Sequence, residues 1–327
     1  MAGQSESRKR AIHSEGWVGR TVNYAHGRKI GPESICARFA RTIRYQSGLL
    51  HRDALSEGGA YDGRTNTLYL SHGAVRDLKL TKVEVHEKLH ALFRFFDHQG
   101  ILSPFHTEFR TESKGVPIVQ TDTYGAGFRG EEVAGYALSL SVEASRLKQA
   151  SLHGAHALEA AELKEYAKVG HDLTQRTYEI SAQALEKMRN DPAAVETNVR
   201  EVENRSGIKS RNFYYSVKVN GVELTVPGVS MARAGDLQKV VMAEVAAGTL
   251  PKEKALPELQ QRLRLEAERN LEKLNKISGD CLAAYAELEN LLDSNPVLTP
   301  ALVFRISELT NQINRGVNSQ LPKMPKS

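Results

Sequence analysis

The sequence predicts an α+β fold, with a small mixed domain up to about residue 150 and a mainly helical region beyond it. Three observations carry this. A short alternating run, TLYLS, precedes a strongly patterned helix; helical periodicity then dominates the second half; and one hairpin, near residues 213–226, interrupts it. The 327 residues leave room for two ordinary domains, and a chain that is 40% hydrophobic and 25% charged is not disordered throughout.

Residues 1–30 are polar and rich in Gly, Ser and Arg, which predicts a mobile leader. Ile35, Phe39 and Ile43 recur at helical spacing, so a first helix is expected from about Glu33 to Arg44. Asp62-Gly63 supplies turn chemistry before TLYLS, where Leu68 and Leu70 alternate with Tyr69 as in a strand. Thr81, with Glu84 three residues on, matches a capping box; Val85, Leu89, Leu92 and Phe96 follow as one apolar stripe, and Gly100 ends the helix. The stretch 101–130 reads as loop, with Pro104, Pro117 and several glycines.

Val133, Ala137, Leu140, Ala144 and Leu147 predict a helix over about 131–150, and another is expected over about 156–189. NFYYSVKV and VELTV flank Asn220-Gly221, the strongest two-residue hairpin signal. Helices are expected again over about 237–247, 253–276, 280–293 and 299–315, punctuated by Pro251, Pro296 and Pro300. The leucine-spaced, charge-rich segment LPELQQRLRLEAERNLEKLNKIS reads as a solvated member of a helical bundle.

Lys and Arg number 44 against 39 Asp and Glu, a net charge of +5, and the two signs are interspersed, so nucleic acid is not an expected partner. Two cysteines, Cys36 and Cys281, exclude a disulfide framework and a Cys-based zinc ribbon and suit a reducing compartment. No run approaches the roughly 18 apolar residues of a membrane span. The N-terminus lacks the apolar core of a Sec signal peptide, so the chain is expected to stay in the cell or to leave by a route that needs none.

The chemistry concentrates in His86-Glu87-Lys88-Leu89-His90, an H-E-x-x-H inside the best-patterned helix. Spacing of four places both imidazoles on one face, near enough to grip a tetrahedral Zn²⁺. Glu87, on the adjoining side, is placed to take a proton from a water that the metal holds. His98, His106, His153, His156 and His171 lie on polar stretches without ligand spacing and read as solvated surface residues.

TNTLYLS, about ten residues, and then VEVHEKLHALF resemble the edge strand and active-site helix of the zincin metallopeptidases, over about residues 55–145. The resemblance implies a zincin-like domain over 31–150, followed by a helical region over 151–327. It also implies that the strand before the helix holds an extended peptide by strand addition. HALFRFFDHQG is similar to the short zincins that Gram-negative pathogens inject into host cells. Two locations are therefore expected: a bacterial cytosol, or a host cell reached through the leader.

The metzincin extension fails, because Phe93 and Phe96 occupy its Gly and His positions. Glu131 through Ala137 is similar instead to the gluzincin E-x-x-A-x-x-A, with Glu131 as the third ligand and Gly135 where that family usually has an Asp or Asn that orients a histidine. Glu132 is the neighbouring alternative, and Asp122, before Tyr124-Gly125, is the Asp-zincin alternative. Tyr136 and Tyr124 are the candidates to donate to the tetrahedral oxyanion, with Tyr136 taken as the catalytic one.

These residues predict a zinc endopeptidase acting on a protein substrate, host protein included. Two other classes fit them: a binding protein whose zinc is structural, and a non-catalytic helical interaction protein in which H-E-x-x-H is fortuitous.

Overall fold

A computed structural model describes residues 44–47, 59–62, 67–70, 80–112, 116–120, 124–151, 157–203, 209–294 and 298–321. The expected leader lies outside them. So does the expected first helix, except for Arg44, which opens a strand. Among the described residues the fold is α+β, with six α-helices and a five-stranded antiparallel sheet.

Strands β1 (Arg44–Ser47), β2 (Gly59–Asp62) and β3 (Thr67–Leu70) form a three-stranded sheet in the order β1-β3-β2. β3, the expected TLYLS strand, pairs in parallel with β1 and antiparallel with β2. It is therefore central rather than an edge. Both of its hydrogen-bonding rims are occupied, and a peptide cannot add to it.

Helix α1 (Leu80–His98) carries the expected stripe, with Leu89, Leu92 and Phe96 buried. It begins at Leu80, so Thr81 lies inside its first turn and not at the cap. Its end is a Schellman turn. Gly100 sits at φ +66, its N–H donates to the Asp97 carbonyl, and Ile101 N–H donates to that of Phe96 at 2.9 Å.

The stretch 101–130 is not plain loop. It holds β4 (Glu108–Thr111) and β5 (Gly127–Arg129), three and four residues being too short to display a period. Phe109 stacks on Phe128 across that pair, ring centroids 4.5 Å apart. Helix α2 (Gly130–Ser151) buries all five residues of its expected stripe, Val133, Ala137, Leu140, Ala144 and Leu147. Helix α3 (Ala157–Asn190) follows as expected.

β6 (Glu196–Glu203), β7 (Lys209–Val219) and β8 (Val222–Ser230) complete the larger sheet, in the order β5-β4-β8-β7-β6. Asn220 at φ 48 and Gly221 at φ 75 make the two-residue turn of the expected hairpin. β6 escapes sequence reading because ETNVREVE is an edge strand whose charged residues hide any apolar alternation.

α4 (Met231–Ala246) starts earlier than expected, where the Ser230 hydroxyl accepts the Arg233 N–H. The two helices expected over 253–276 and 280–293 are one, α5 (Ala255–Ser294). Gly279 lies inside it, where an added Cβ would stand 3.0 Å from the edge of the Tyr178 ring. α6 (Pro300–Asn318) ends the described chain. No helix among the described residues is long and apolar enough to cross a membrane.

Two compact units are interleaved along the sequence. One takes the described residues up to Phe95 with Ala134–Gly170 and the chain from Ala284; the other takes Phe96–Val133 with His171–Ala283. In the first, Leu138, Leu163, Leu288, Ile306 and Ile313 are buried, and Asn314 donates to the Ser141 hydroxyl at 2.8 Å. In the second, the sheet carries a buried polar cluster. Asp97 accepts from Asn212 Nδ2 at 2.8 Å and from the Tyr214 hydroxyl at 3.1 Å. The Arg200 guanidinium lies over the Tyr214 ring and reaches Glu108 at 2.9 Å and 3.1 Å.

Burial by itself would raise the Glu108 pKa, but the Arg200 hydrogen bonds and the charges of Arg129, Arg200 and Arg110 hold it below its usual value. The native carboxyl is thus harder to protonate than the unfolded one. Its contribution is present above the unfolded carboxylate pKa and is lost as pH falls through the folded one. Glu108→Gln is expected to lower stability at pH 7 by about 3 kcal/mol and to flatten the loss between pH 7 and pH 3. Urea midpoints at the two pH values check it, and an equally steep acid loss in the variant would contradict it.

Candidate metal centre

The helical period of α1 puts His86 and His90 side by side, ring centroids 5.1 Å apart and the rings 69° from coplanar. His86 is buried, and Glu87 and His90 are half-buried. Leu89 and Phe93 are buried on the same helix, and at 3.6 residues per turn Phe93 falls about 20° around the axis from His86, so the apolar stripe borders the imidazoles.

Helix α2 supplies the carboxylate. Ligand atoms of His86, His90 and Glu132 all lie within 4.8 Å of one another, the only such group of three His, Cys, Asp or Glu among the described residues. Two imidazole nitrogens and one carboxylate oxygen are a donor set that Zn²⁺ accepts. Ideal tetrahedral bonds of about 2.0–2.1 Å would draw the donors to about 3.3 Å from one another, within the reach of small side-chain rotations. The residues fit the metal.

Glu131, the expected third ligand, is not in this group. It is buried beside Arg129, whose Nη1 is 3.8 Å from its Oε1. One residue along a helix is a rotation of about 100°, so adjacent glutamates face different surroundings. Glu132 instead shares its face with Tyr136, four residues on. Asp122 lies outside the described residues.

Tyr124, the other expected oxyanion donor, sits beside the ligand group. It is buried, and its hydroxyl donates to Glu132 Oε2 at 2.8 Å. Such a bond fixes a ligating carboxylate, as outer partners of metal ligands do. Position 124 lies before the helix, and no spacing in the sequence links it to Glu132.

Tyr136 packs edge-on against His86, centroids 5.0 Å apart, and touches Tyr166 of α3 at 5.3 Å. Burial raises the Tyr166 pKa well above its usual value, and the Tyr136 phenol and the Glu143, Glu87 and Glu165 carboxylates push it further. It stays protonated at neutral pH. Sequence reading missed Tyr166, because nothing in α3 marks it apart from other packed aromatics.

His106 departs from the expected surface role. It is buried, and its Nδ1 accepts the Ser103 N–H at 3.0 Å in the capping box of a short 3₁₀ turn over Pro104–His106. His98 and His171 are half-buried, and His153 and His156 lie outside the described residues.

Zinc content after dialysis is therefore expected to fall by at least tenfold in His86→Ala, His90→Ala and Glu132→Ala and to change little in Glu131→Ala. The reverse order for the two glutamates would restore Glu131 as the ligand. Compared with protein-family models, curated proteins and solved structures, the chain matches none of them.

Proposed function

We propose that the chain is a zinc-dependent endopeptidase, with His86, His90 and Glu132 holding the metal and Glu87 moving the proton. The observation that supports it most is the convergence of an H-E-x-x-H helix and a carboxylate from a second helix on one point, within 4.8 Å. Two imidazoles and one carboxylate are the protein donor set of a catalytic zinc site, in which water takes the fourth position.

His86, His90 and Glu132 would hold the Zn²⁺, which when bound would supply Lewis acidity toward water and the peptide carbonyl. Glu87 follows His86 directly on α1 and does not enter the ligand group. Its carboxylate accepts the proton as water attacks the peptide carbon, then delivers it to the departing amine nitrogen. The Tyr136 ring packs against that of His86, and its phenol would offer a hydrogen bond to the oxyanion, with Tyr166 beside it. The extended substrate cannot add to β3, which is paired on both sides; the rims of this sheet are β1 and β2. The substrate is a protein.

Glu87→Gln keeps the shape of the side chain and cannot take a proton. It is expected to retain zinc while peptide cleavage drops by about 10²-fold or more. Mass-spectrometric mapping of new N-termini in lysate treated with each protein measures this. An unchanged set of N-termini with the variant would remove Glu87 from the mechanism.

A further inference from the structure

His86 is held on several sides. It is 8% exposed, flanked by the Tyr136 ring and by His90. The backbone of α2 at Gly135 also lies close to it. A Cβ built on Gly135 would stand 2.7 Å from His86 Cε1, 2.8 Å from Nδ1 and 3.2 Å from Nε2. These are the outer atoms of the ring, both nitrogens included. Two of the distances are below any ordinary carbon contact, so the ring and a methyl group cannot share this place.

Glycine is otherwise a poor residue for this position. It lies inside a 22-residue helix, where alanine is the better helix former, and its neighbours Ala134 and Ala137 show that the helix takes alanine nearby. Its φ is not positive, so no turn demands it. The space is needed by the imidazole alone among the atoms nearest to that Cβ.

We infer that Gly135 is a positioning residue of the metal centre: the missing Cβ seats the His86 ring so that its nitrogen converges with those of His90 and Glu132, a claim that rests on the metal reading above. The ring is the end of a side chain with two rotatable bonds. A methyl group at position 135 should therefore swing the ring away and leave the helices in place. The expected damage is to metal geometry first and to the fold second.

Gly170 provides the comparison. A Cβ there would lie 2.7 Å from the Tyr285 hydroxyl, a contact as close as that at Gly135 but against no member of the ligand group. Gly135→Ala and Gly170→Ala of the full chain would be compared with the wild type in zinc affinity by chelator competition, in Co²⁺ absorption, and in thermal unfolding without metal. Gly135→Ala is expected to bind zinc at least tenfold more weakly and to lose the tetrahedral Co²⁺ bands. Gly170→Ala is expected to unfold at a lower temperature with zinc affinity within about twofold of wild type.

The partner of the added methyl is tested by a cycle. If the ring is what it strikes, the fall in melting temperature caused by Gly135→Ala should vanish when it is made in His86→Ala. Should Gly135→Ala fail to fold, recovery of folding in the double variant would support the inference, and failure to recover would overturn it. Zinc affinity and Co²⁺ bands equal to wild type in Gly135→Ala would also overturn it, and would leave the ligand assignment standing. A wild type that binds no zinc would instead overturn the metal reading and this inference with it.

Discussion

The contact between the His86 imidazole and the bare backbone of α2 at Gly135 is the constraint on which the candidate centre depends. An H-E-x-x-H helix alone presents two imidazoles, and two ligands hold zinc weakly. A third must come from another helix, and it must come close. Here the second helix brings a glycine against the first histidine and a glutamate three residues earlier, so one missing methyl group and one carboxylate act on the same small volume.

The start of α2 is correspondingly well fixed. Gly130 N–H donates to the Thr107 carbonyl at 2.7 Å, and a Cβ on Gly130 would fall 2.9 Å from the Phe105 carbonyl oxygen. Glu131 sits beside Arg129 while Glu132 takes the Tyr124 hydroxyl. Two adjacent carboxylates thus have different surroundings, one beside a guanidinium and one with the imidazoles. The end of α1 is fixed as firmly. Its Schellman turn closes at Gly100, and Asp97 accepts hydrogen bonds from Asn212 and Tyr214.

Helices were the most legible part of the sequence, since α1, α2 and α3 each carry an apolar stripe at 3.6-residue spacing. The His86, Glu87 and His90 cluster was legible for the same reason, because the helical period alone brings the pair together. The carboxylate that joins them, Glu132, was named only as the alternative to Glu131. The pattern of small residues Ala134 and Ala137 points to Glu131, whereas the facing register is set by Gly135, three residues after Glu132; which glycine a helix uses for close approach is a tertiary matter. Tyr124 and Tyr166 were invisible as partners, being brought in from a loop and a separate helix. The strands β4, β5 and β6 were missed because two are very short and the third is a charged edge. The helices expected over about 253–276 and 280–293 run as one through Gly279.

The central claim is that one zinc ion binds through two imidazoles and a carboxylate. Zinc X-ray absorption on the full chain loaded with one equivalent of metal tests it most directly. The account predicts a first shell of four light atoms at about 2.0–2.1 Å, with the outer-shell scattering of two imidazoles and no sulfur. A sulfur shell near about 2.3 Å, a six-coordinate oxygen shell, or absence of imidazole scattering would contradict it.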